Sequence, residues 1–597
     1  MAEDLDPNDP EVRLSQFLYV GKEYPDYQPG NWFVHNYFLA KNVLSIEELA
    51  ENTEKQLLPV QIITKAFESN LVPNPETLVF ALAVCCRQIK SESLRHAAYA
   101  VLNKICISPQ HFILFIKFAS QISKKKELDA TGSSRHGWGQ GLRKAVNNWY
   151  LSKTPMELAK CVTRYKGRYG WKHKDIIKLS HPIPTNPEMV LRYVIRGLEE
   201  AKKYSGEDPT VKEILEYIKH VEDFKHCTDE VRAAGLLEMY KLTLDHVPGH
   251  LLKSKEVWNA LIPSMNLVML LNNLQRIHNL KLLKPASPTV SKIIDQITNE
   301  ENIARDKVHP ALVLVTIRDY ENSGKPLTYE KRKIKEQIDK PLPAPSKPNS
   351  KIIDALYKML NISFLHIQPT GLRYMVTINT NKAMLETNTW RSGNVNGAEA
   401  ACMIALALLR SEKSVTIVTF KNLGIHVMNI DKAASFGQAM KRLQQMPGGN
   451  INLAKPITWA AHQNHKYDVF INIVDQIFEK FDTSEKALEA YKTKLKLTNT
   501  KLINCAVCSS STYRKQKSDK NVLTINGFDA SVPVVIQAFY TFLLCLFNTF
   551  PYNLSSECDQ EKKVFVACRR TTFLSHVFFM FGPCMKDVPR VYHDFVD

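Results

Sequence analysis

The sequence lacks the motifs by which many enzymes are recognised. It contains no His-Glu-x-x-His pair, no glycine-rich dinucleotide loop and no Ser/His/Asp series that spacing alone identifies. Its densest glycine stretch, Gly137-Trp138-Gly139-Gln140-Gly141, lacks the Gly-Lys-Ser/Thr ending of a nucleotide-binding P-loop. No pair of side chains can therefore be assigned acid–base roles from the sequence.

Cysteine follows no repeating frame. The twelve cysteines include a single Cys-x-x-Cys, Cys505 to Cys508, and no second pair stands at zinc-ribbon spacing. We interpret this pair as small residues near the end of a strand, with a metal or redox role as the alternative. The first four residues, Met1 to Asp4, are partly acidic and precede no apolar segment, so we expect no signal peptide. Free thiols and a cytoplasmic location, with the nucleus as a further location, follow as expectations.

Long hydrophobic runs are also scarce. The run 534–550 is barely long enough to cross a bilayer and is interrupted by polar residues. We interpret it as a final helix of the second domain, with a membrane span as the alternative. Residues 541–597 are predicted to form a divergent C-terminal extension, and no membrane partner is expected.

Positive charge is abundant and locally concentrated. The net charge is +18, and residues 117–181 hold fifteen Lys or Arg against four Asp or Glu. Between Arg164 and Lys174 the cations alternate with aromatic residues. Cations attract phosphates and release their counterions, while aromatic rings and guanidinium planes stack on unpaired bases. The segment therefore predicts an RNA-binding surface whose cations and rings face outward together.

Residues 44–320 read as a series of short helices separated by proline and glycine, a pattern typical of an α-solenoid of HEAT-like repeats. The predicted helices are 77–90, 95–106, 110–123, 141–150, 156–164, 188–203, 210–223, 229–242 and 267–277. Residues 324–350 are rich in Pro and Lys and predict a linker or exposed loop, followed by a helix over 351–360.

After Pro369 strands alternate with helices, which predicts βαβ units and a mostly parallel sheet. The predicted strands are 374–379, 415–420, 468–474 and 501–507, and the predicted helices are 397–410, 433–443 and 484–495.

Three separate motifs then occur in an order that resembles one known family. They are Leu142-Arg143-Lys144-Ala145-Val146 with Trp149-Tyr150, Gly170-Trp171-Lys172-His173-Lys174-Asp175 with Leu179-Ser180-His181, and Leu252-Lys253-Ser254-Lys255-Glu256-Val257-Trp258. Together they resemble the TROVE domain of the Ro (SS-A) ribonucleoprotein family, over roughly residues 11–537. The chain is identified as a divergent member, with an N-terminal tail (1–10), a TROVE-like domain (11–365), a von Willebrand factor A-like domain (366–540) and the extension (541–597).

The resemblance implies a fold and a function. The family's helical repeats form a closed ring that a von Willebrand A-like domain seals. Its members bind small noncoding Y RNA on the outer surface and hold the 3′ ends of misfolded small RNAs in the central hole, which is RNA quality control rather than catalysis. We accordingly expect a monomer, with protein partners reaching the von Willebrand A-like domain.

The resemblance implies that Arg164, Arg168 and His181 contact Y RNA. If the helix continued to residue 168, the two arginines would share one face. Four neighbours are expected to extend the patch: Lys166, Lys172, His173 and Lys174. The alternative is a solvated cationic face without a ligand.

A second group of candidates follows the glycine stretch. Arg143 and Lys144 begin a predicted helix, whose free backbone N–H groups can receive phosphate. The nearby tryptophans, Trp138, Trp149, Trp171 and Trp258, are more often core residues than base-stacking platforms.

The von Willebrand A-like domain should carry a metal site of pattern Asp-x-Ser-x-Ser with a Thr and an Asp from later loops. The matching positions here hold Asn379, Asn381, Ala383, Asn450, Ile451 and Asp475. Because a hard divalent cation needs charged oxygen ligands, we expect a vestigial site and no cofactor.

Two other functions compete with RNA binding. Helical solenoids and von Willebrand A domains commonly bind proteins, so a protein-interaction scaffold is the first alternative. A metal-dependent hydrolase of RNA is the second, and the degenerate cation site disfavours it.

Overall fold

The computed structural model describes residues 8–30, 38, 40–70, 72–125, 138–165, 167–183, 188–203, 208–323, 347–477, 483–511 and 520–547. They divide into two compact units. The first comprises the described residues up to 261 together with those of 367–547, and the second comprises the described residues of 262–366.

Helices dominate the N-terminal part of the first unit, as the apolar spacing predicted. They are α1 (Pro10–Val20), α2 (Ser45–Glu51), α3 (Leu58–Ser69), α4 (Glu76–Cys86), α5 (Glu92–Ala100), α6 (Leu102–Ile105), α7 (Pro109–Lys125), α8 (Gln140–Leu151), α9 (Pro155–Arg164), α10 (His173–Ser180), α11 (Glu188–Arg196), α12 (Leu198–Lys202), α13 (Pro209–His226), α14 (Glu230–Met239) and α15 (Lys255–Leu261). Three short strands interrupt them: β1 (Asp26–Tyr27), β2 (Gly167–Arg168) and β3 (Trp171–Lys172).

Helix α9 shows how local sequence sets these bounds. Pro155 opens the helix, and the side chain of Thr154 accepts a hydrogen bond from the Glu157 N–H at 3.3 Å. The Glu157 carboxylate in turn accepts from the Thr154 N–H at 3.0 Å, which completes a capping box. The helix ends at Arg164.

The second unit contains five described helices: α16 (Leu267–Asn279), α17 (Pro288–Thr298), α18 (Glu300–Arg305), α19 (Pro310–Glu321) and α20 (Ser350–Ser363). Helix α20 confirms the helix predicted for 351–360. Its capping residue Asn349 donates from its side chain to the Leu283 carbonyl at 3.0 Å, and the Asn349 backbone N–H donates to the Tyr320 hydroxyl at 3.1 Å. Residues 324–346 of the Pro/Lys-rich segment lie outside the described residues.

The second half of the first unit is an α/β domain. Its strands are β4 (Arg373–Ile378), β5 (Ser414–Phe420), β6 (Ile425–Val427), β7 (Val469–Val474), β8 (Lys501–Ala506) and β9 (Val522–Asn526). Its helices are α21 (Lys382–Glu386), α22 (Gly397–Ser411), α23 (Phe436–Gln444), α24 (Lys455–His462), α25 (Thr483–Leu495) and α26 (Val532–Phe547). The sheet order is β1-β9-β8-β7-β4-β5-β6, and every strand pair except β5 and β6 is parallel. This confirms the predicted parallel sheet.

The N-terminal residues supply an edge strand of that sheet, which the sequence did not predict. Tyr27 pairs with Ile525, and the Asn526 side chain donates to the Asp26 carboxylate at 2.9 Å. The Tyr27 side chain is fully buried. A strand of two residues is too short to show an alternating pattern, so only the folded chain reveals it.

The fold class is thus confirmed as a series of packed helices joined to an α/β domain. Ring closure stays a prediction. Within the described residues, no helix combines the length and the apolar character needed to cross a membrane. The single Cys-x-x-Cys ends a strand as interpreted: Cys505 is buried in β8 and Cys508 follows it.

The N-terminal edge strand should stabilise the first unit. Replacing Tyr27 with Ala removes a fully buried ring and is expected to lower the free energy of unfolding by about 3–5 kcal/mol. Urea denaturation followed by circular dichroism measures the loss. Tyr24→Ala, which alters a partly exposed tyrosine three residues earlier, is the control and should cost clearly less. Equal losses would contradict the assigned role of the strand.

Candidate nucleic-acid interface

The segment with alternating cations and rings folds as a hairpin and not as a continued helix. Strands β2 and β3 are antiparallel and are joined by the two residues Tyr169 and Gly170. Both have positive φ angles, 54° and 81°, as in the type I′ turns that close tight hairpins. The expectation that Arg164 and Arg168 share one helix face is therefore wrong, because α9 ends at Arg164 and Arg168 lies on β2.

The pairing of the hairpin decides which side chains lie together. Arg168 pairs with Trp171, so these two side chains lie on one face, and Gly167 pairs with Lys172 on the other. A Cβ atom at Gly167 would meet the Trp171 carbonyl oxygen at 2.7 Å, so the close approach of the two strands requires glycine there.

Tyr169 fastens the hairpin to helix α7. The ammonium group of Lys117 lies 5.6 Å from the centre of the Tyr169 ring, and the Gln110 side chain donates to the Tyr169 hydroxyl at 3.4 Å. The guanidinium of Arg168 lies 5.2 Å from the same ring. These contacts fix the turn against the helical core and orient the strand residues beside it.

Two candidates contribute contacts within the fold, and of these only His173 is buried. Arg164 donates from Nε and Nη2 to one carboxylate oxygen of Asp245, at 2.9 and 2.6 Å, and is only partly exposed. His173 is buried, so its expected place in the surface patch is wrong. Burial lowers the pKa of His173 to about 3 and keeps the imidazole neutral.

An aromatic core lies beneath α8 and α10. Trp149 stacks on Phe112 with centroids 3.8 Å apart and planes 4° from parallel. The Tyr150 hydroxyl is hydrogen bonded to His173 Nδ1 at 2.7 Å. Tyr165 is buried as well, so the outward display of all rings between Arg164 and Lys174 is also wrong.

The remaining cations form an exposed group on neighbouring elements. Helices α8 and α10 are joined by a hydrogen bond from the Asn147 side chain to the Ser180 carbonyl at 3.0 Å. Asn147 lies one helical turn from Arg143 and Lys144, so these two cations border α10. We call the basic face the following residues: Arg143, Lys144, Arg168, Lys172, Lys174 and Lys178.

Five members of the basic face are exposed, and Arg168 is partly exposed. None of the six forms an ion pair with a carboxylate of the described residues. Lys178 was not singled out from the sequence, although its position four residues after Lys174 places both on one strip of α10. His181 ends α10 with a φ of 51° and is exposed. Lys166 lies outside the described residues.

The start of α8 adds backbone donors to this group. Gly139 precedes the helix without any side-chain hydrogen bond to the first turn. Gly139, Gln140 and Gly141 are all exposed. The first N–H groups of an α-helix have no partner within the helix and favour an anion. An RNA phosphate could therefore bind here beside Arg143.

The degenerate cation position of the α/β domain is occupied by an internal hydrogen bond. The buried Asn379 side chain donates from Nδ2 to the Asp475 carboxylate at 2.9 Å. Its Oδ1 accepts the Asn381 N–H at 3.0 Å, so the amide cannot turn its oxygen toward a cation. The residues present do not fit the implied metal. Among the described residues, no group of three or more His, Cys, Asp or Glu side chains is arranged to hold one.

The carboxyl group of Glu76, at the start of α4, has a strongly raised pKa. Burial raises the pKa of Glu76 to about 7, although Arg168 and Lys117 favour its charged form. Burial lowers the pKa of Lys117 to about 8, against the influence of Glu76. The buried carboxyl at the start of α4, which interacts with the charge of Arg168, therefore takes up a proton near neutral pH.

This gives a pH dependence of stability. The pKa of Glu76 is higher in the folded chain than its ordinary value of 4.5, so its stabilising contribution is complete below about pH 4.5 and is lost as the pH rises through about 7. Glu76→Gln should reduce the fall in unfolding free energy between pH 5 and 8 by about 1–3 kcal/mol. Urea denaturation at several pH values measures it. Glu213→Gln, at an exposed glutamate of α13, is the control. Identical pH profiles for Glu76→Gln and the unaltered chain would contradict this account.

Two family models match the sequence of this chain. The TROVE domain family model matches residues 43–368, and the model of the Ro60 vWA domain matches residues 373–540. A Caenorhabditis elegans protein named RNA-binding protein RO60 is 24% identical over an alignment of 597 positions, which covers 90% of this chain and 88% of that protein. A Deinococcus radiodurans protein of the same name is 24% identical over 535 residues, which cover 89% and 92%.

The same fold occurs in a solved structure. The crystal structure of the Deinococcus radiodurans RO (RSR) protein matches with a TM-score of 0.75 at 22% identity, covering 89% of this chain and 99% of that one. This likeness shows the shared fold. The TROVE match alone spans more than half of the chain. The chain therefore belongs to the TROVE domain family, and its α/β domain is of the Ro60 vWA type.

Proposed function

We propose that this chain is an RNA-binding protein that docks structured small RNA on its basic face. The observation that carries the proposal is the exposed cluster of cations on α8, the β2–β3 hairpin and α10, none of them paired with a carboxylate of the described residues. Two relatives named RNA-binding protein support the same function.

The arrangement suits a phosphate backbone. Each Lys or Arg that neutralises a phosphate releases condensed counterions, and guanidinium groups bind phosphate through two parallel hydrogen bonds. The N–H groups at the start of α8 offer a further phosphate contact beside Arg143. His181 extends the same face at the end of α10. Arg164 stays a predicted RNA contact, since it is partly exposed while it also donates to Asp245.

The finer proposal is that the bound RNA is of the Y type, and that a second site receives the 3′ ends of misfolded small RNAs. The family resemblance supports both. We propose binding rather than catalysis, since the relatives are named for RNA binding. The cytoplasmic or nuclear location, the monomeric state and protein partners of the α/β domain stay predictions of the sequence.

Removing charge from the basic face should weaken RNA binding and flatten its salt dependence. In Lys172→Gln/Lys174→Gln, two exposed cations are lost, and the slope of log affinity against log salt should fall by about 2. Gel-shift titration of a stem-containing small RNA at several salt concentrations measures both effects.

The matched control is Lys441→Gln/Arg442→Gln, which removes the same charge from exposed positions of α23 in the α/β domain. This variant should keep the slope of the unaltered chain. Equal effects of the two variants would indicate nonspecific attraction and contradict the proposal. Nuclease treatment of the purified chain separates RNA binding from the alternative of a protein-interaction scaffold. If no RNA co-purifies with the chain, the scaffold is favoured.

We also propose that the α/β domain functions without a divalent cation, because Asn379 donates to the carboxylate that would ligate one. A cation at a hundred times its dissociation constant stabilises a fold by about 2.7 kcal/mol, enough to raise Tm by several degrees. Mg²⁺ should produce no such shift here. The variant Asn379→Asp/Asn381→Ser/Ala383→Ser/Asn450→Thr restores Asp-x-Ser-x-Ser and the Thr beside the retained Asp475, and it should gain a shift. A Mg²⁺-dependent Tm in the unaltered chain would contradict the proposal.

A further inference from the structure

A hydroxyl residue followed by proline occurs three times in the sequence, each time directly before a helix: Ser108, Thr154 and Ser287. Ser108 is buried and accepts a hydrogen bond from the His111 N–H at 3.1 Å. Thr154 accepts from the Glu157 N–H at 3.3 Å. Ser287 precedes α17 without any side-chain hydrogen bond to the first turn, and it is partly exposed. Of the three hydroxyls, only that of Ser287 is not used to cap its helix.

Ser287 ends an exposed turn between α16 and α17. The three residues before it, Lys284, Pro285 and Ala286, are all exposed, and the Ser287 N–H donates to the Lys284 carbonyl at 2.9 Å. Ser287 has φ −75° and ψ 133°, the extended conformation that a residue before proline prefers. The turn thus presents to solvent a serine that is followed by proline, and residues 281–298 are described without a gap.

Three exposed lysines lie beside this turn, and we call them the lysine cluster: Lys281, Lys284 and Lys351. The first two belong to the turn, and the carbonyl of Leu283 between them accepts a hydrogen bond from Asn349 Nδ2 at 3.0 Å. Asn349 caps α20, so this bond brings Lys351, in the first turn of α20, next to the other two. None of the three lysines forms an ion pair with a carboxylate of the described residues.

Two of these lysines are placed against the dipoles of the helices. Lys284 precedes the N-terminus of α17 and Lys351 lies at that of α20, where acidic residues stabilise a helix and cations destabilise it. Neither helix has an acidic residue in its first turn. Lys281 differs, because it follows the C-terminus of α16, where a cation is favourable. Uncompensated positive charge at two helix starts is an arrangement that a multiply charged anion would stabilise.

We propose that Ser287 is a phosphorylation site whose phosphate group is bound by the lysine cluster at the start of α17. A proline-directed protein kinase would transfer the γ-phosphoryl group of ATP to Ser287. The bond between Oγ and phosphorus forms, the bond from the γ-phosphorus to the bridging oxygen of the leaving ADP breaks, and the hydroxyl proton passes to the base of the kinase. This modification goes beyond the proposed RNA binding and does not depend on it.

Phosphorylation would reverse the electrostatics of this helix start. The phosphate carries about two negative charges at neutral pH and three strong acceptor oxygens. It would lie three residues from Lys284 and at the positive end of α17, where an anion is favourable. Charge-assisted hydrogen bonds from the lysine cluster would then hold the turn against α20. The modified chain should therefore open less often at the turn and at the first turns of α17.

Treatment of the full chain with a proline-directed kinase and ATP tests the inference. Peptide mass spectrometry should locate a phosphate at Ser287, and Ser287→Ala should lose it. A synthetic peptide of residues 281–292 shows whether the kinase accepts this sequence. Hydrogen exchange followed by mass spectrometry then compares the modified and unmodified chains. The backbone amides of residues 281–298 should exchange about three- to tenfold more slowly after phosphorylation.

The variant Lys284→Gln/Lys351→Gln should be phosphorylated but should lose the slowing of exchange. Its matched control is Lys307→Gln/Lys358→Gln, which also removes one exposed lysine from a turn between helices and one from α20, and which should keep the slowing. Circular dichroism melting verifies that each variant is folded. A chain left unmodified at Ser287 would overturn the site, whether or not the kinase accepts the peptide. Phosphorylation without slower exchange, or equal slowing in both variants, would overturn the role of the lysine cluster.

Discussion

The buried contact between Tyr150 and His173 is the interaction on which the basic face depends. It joins α8 to α10 at the level of the aromatic core, next to the stacked pair of Phe112 and Trp149. A buried hydrogen bond contributes only about 1 kcal/mol net, but leaving either group without its partner costs more. Since Tyr150 and His173 lie on the buried sides of α8 and α10, the charged residues of the two helices lie on their exposed sides.

The β2–β3 hairpin likewise combines a residue that contacts the core with exposed residues beside it. Tyr169 adopts a left-handed backbone conformation that is uncommon for a bulky residue, and its ring contacts Lys117 and Gln110 of α7. The turn thereby anchors one aromatic residue and displays another, Trp171, beside Arg168. The aromatic residues that alternate with cations in the sequence thus have different roles in the fold. Tyr169 holds the turn against α7, whereas Trp171 stays partly exposed.

The sequence predicted the larger features because they depend on long periodic patterns. The helices predicted between residues 77 and 242 and strands β4, β5, β7 and β8 follow apolar spacing over many residues. Features that depend on a few residues were not predicted: the two-residue strand at Tyr27, the β2–β3 hairpin and the buried position of His173. Each contacts a partner that is distant in sequence, namely β9, α7 and Tyr150, which no local pattern can reveal.

The candidate site was predictable by region but not by residue. The density of Lys and Arg between 117 and 181 located it, yet charge alone could not tell the ion-paired Arg164 from the exposed Lys174. For the vestigial cation site the individual residues were predictable, because the family pattern identifies each position. Only the folded chain shows that Asn379 and Asp475 bond to each other.

The central claim is that RNA lies along α8, the β2–β3 hairpin and α10. Photo-crosslinking of a 4-thiouridine-labelled small RNA to the full chain, followed by mass spectrometry of the linked peptides, tests it most directly. The account predicts crosslinks concentrated in residues 138–144 and 168–181. Crosslinks confined to the α/β domain would contradict it.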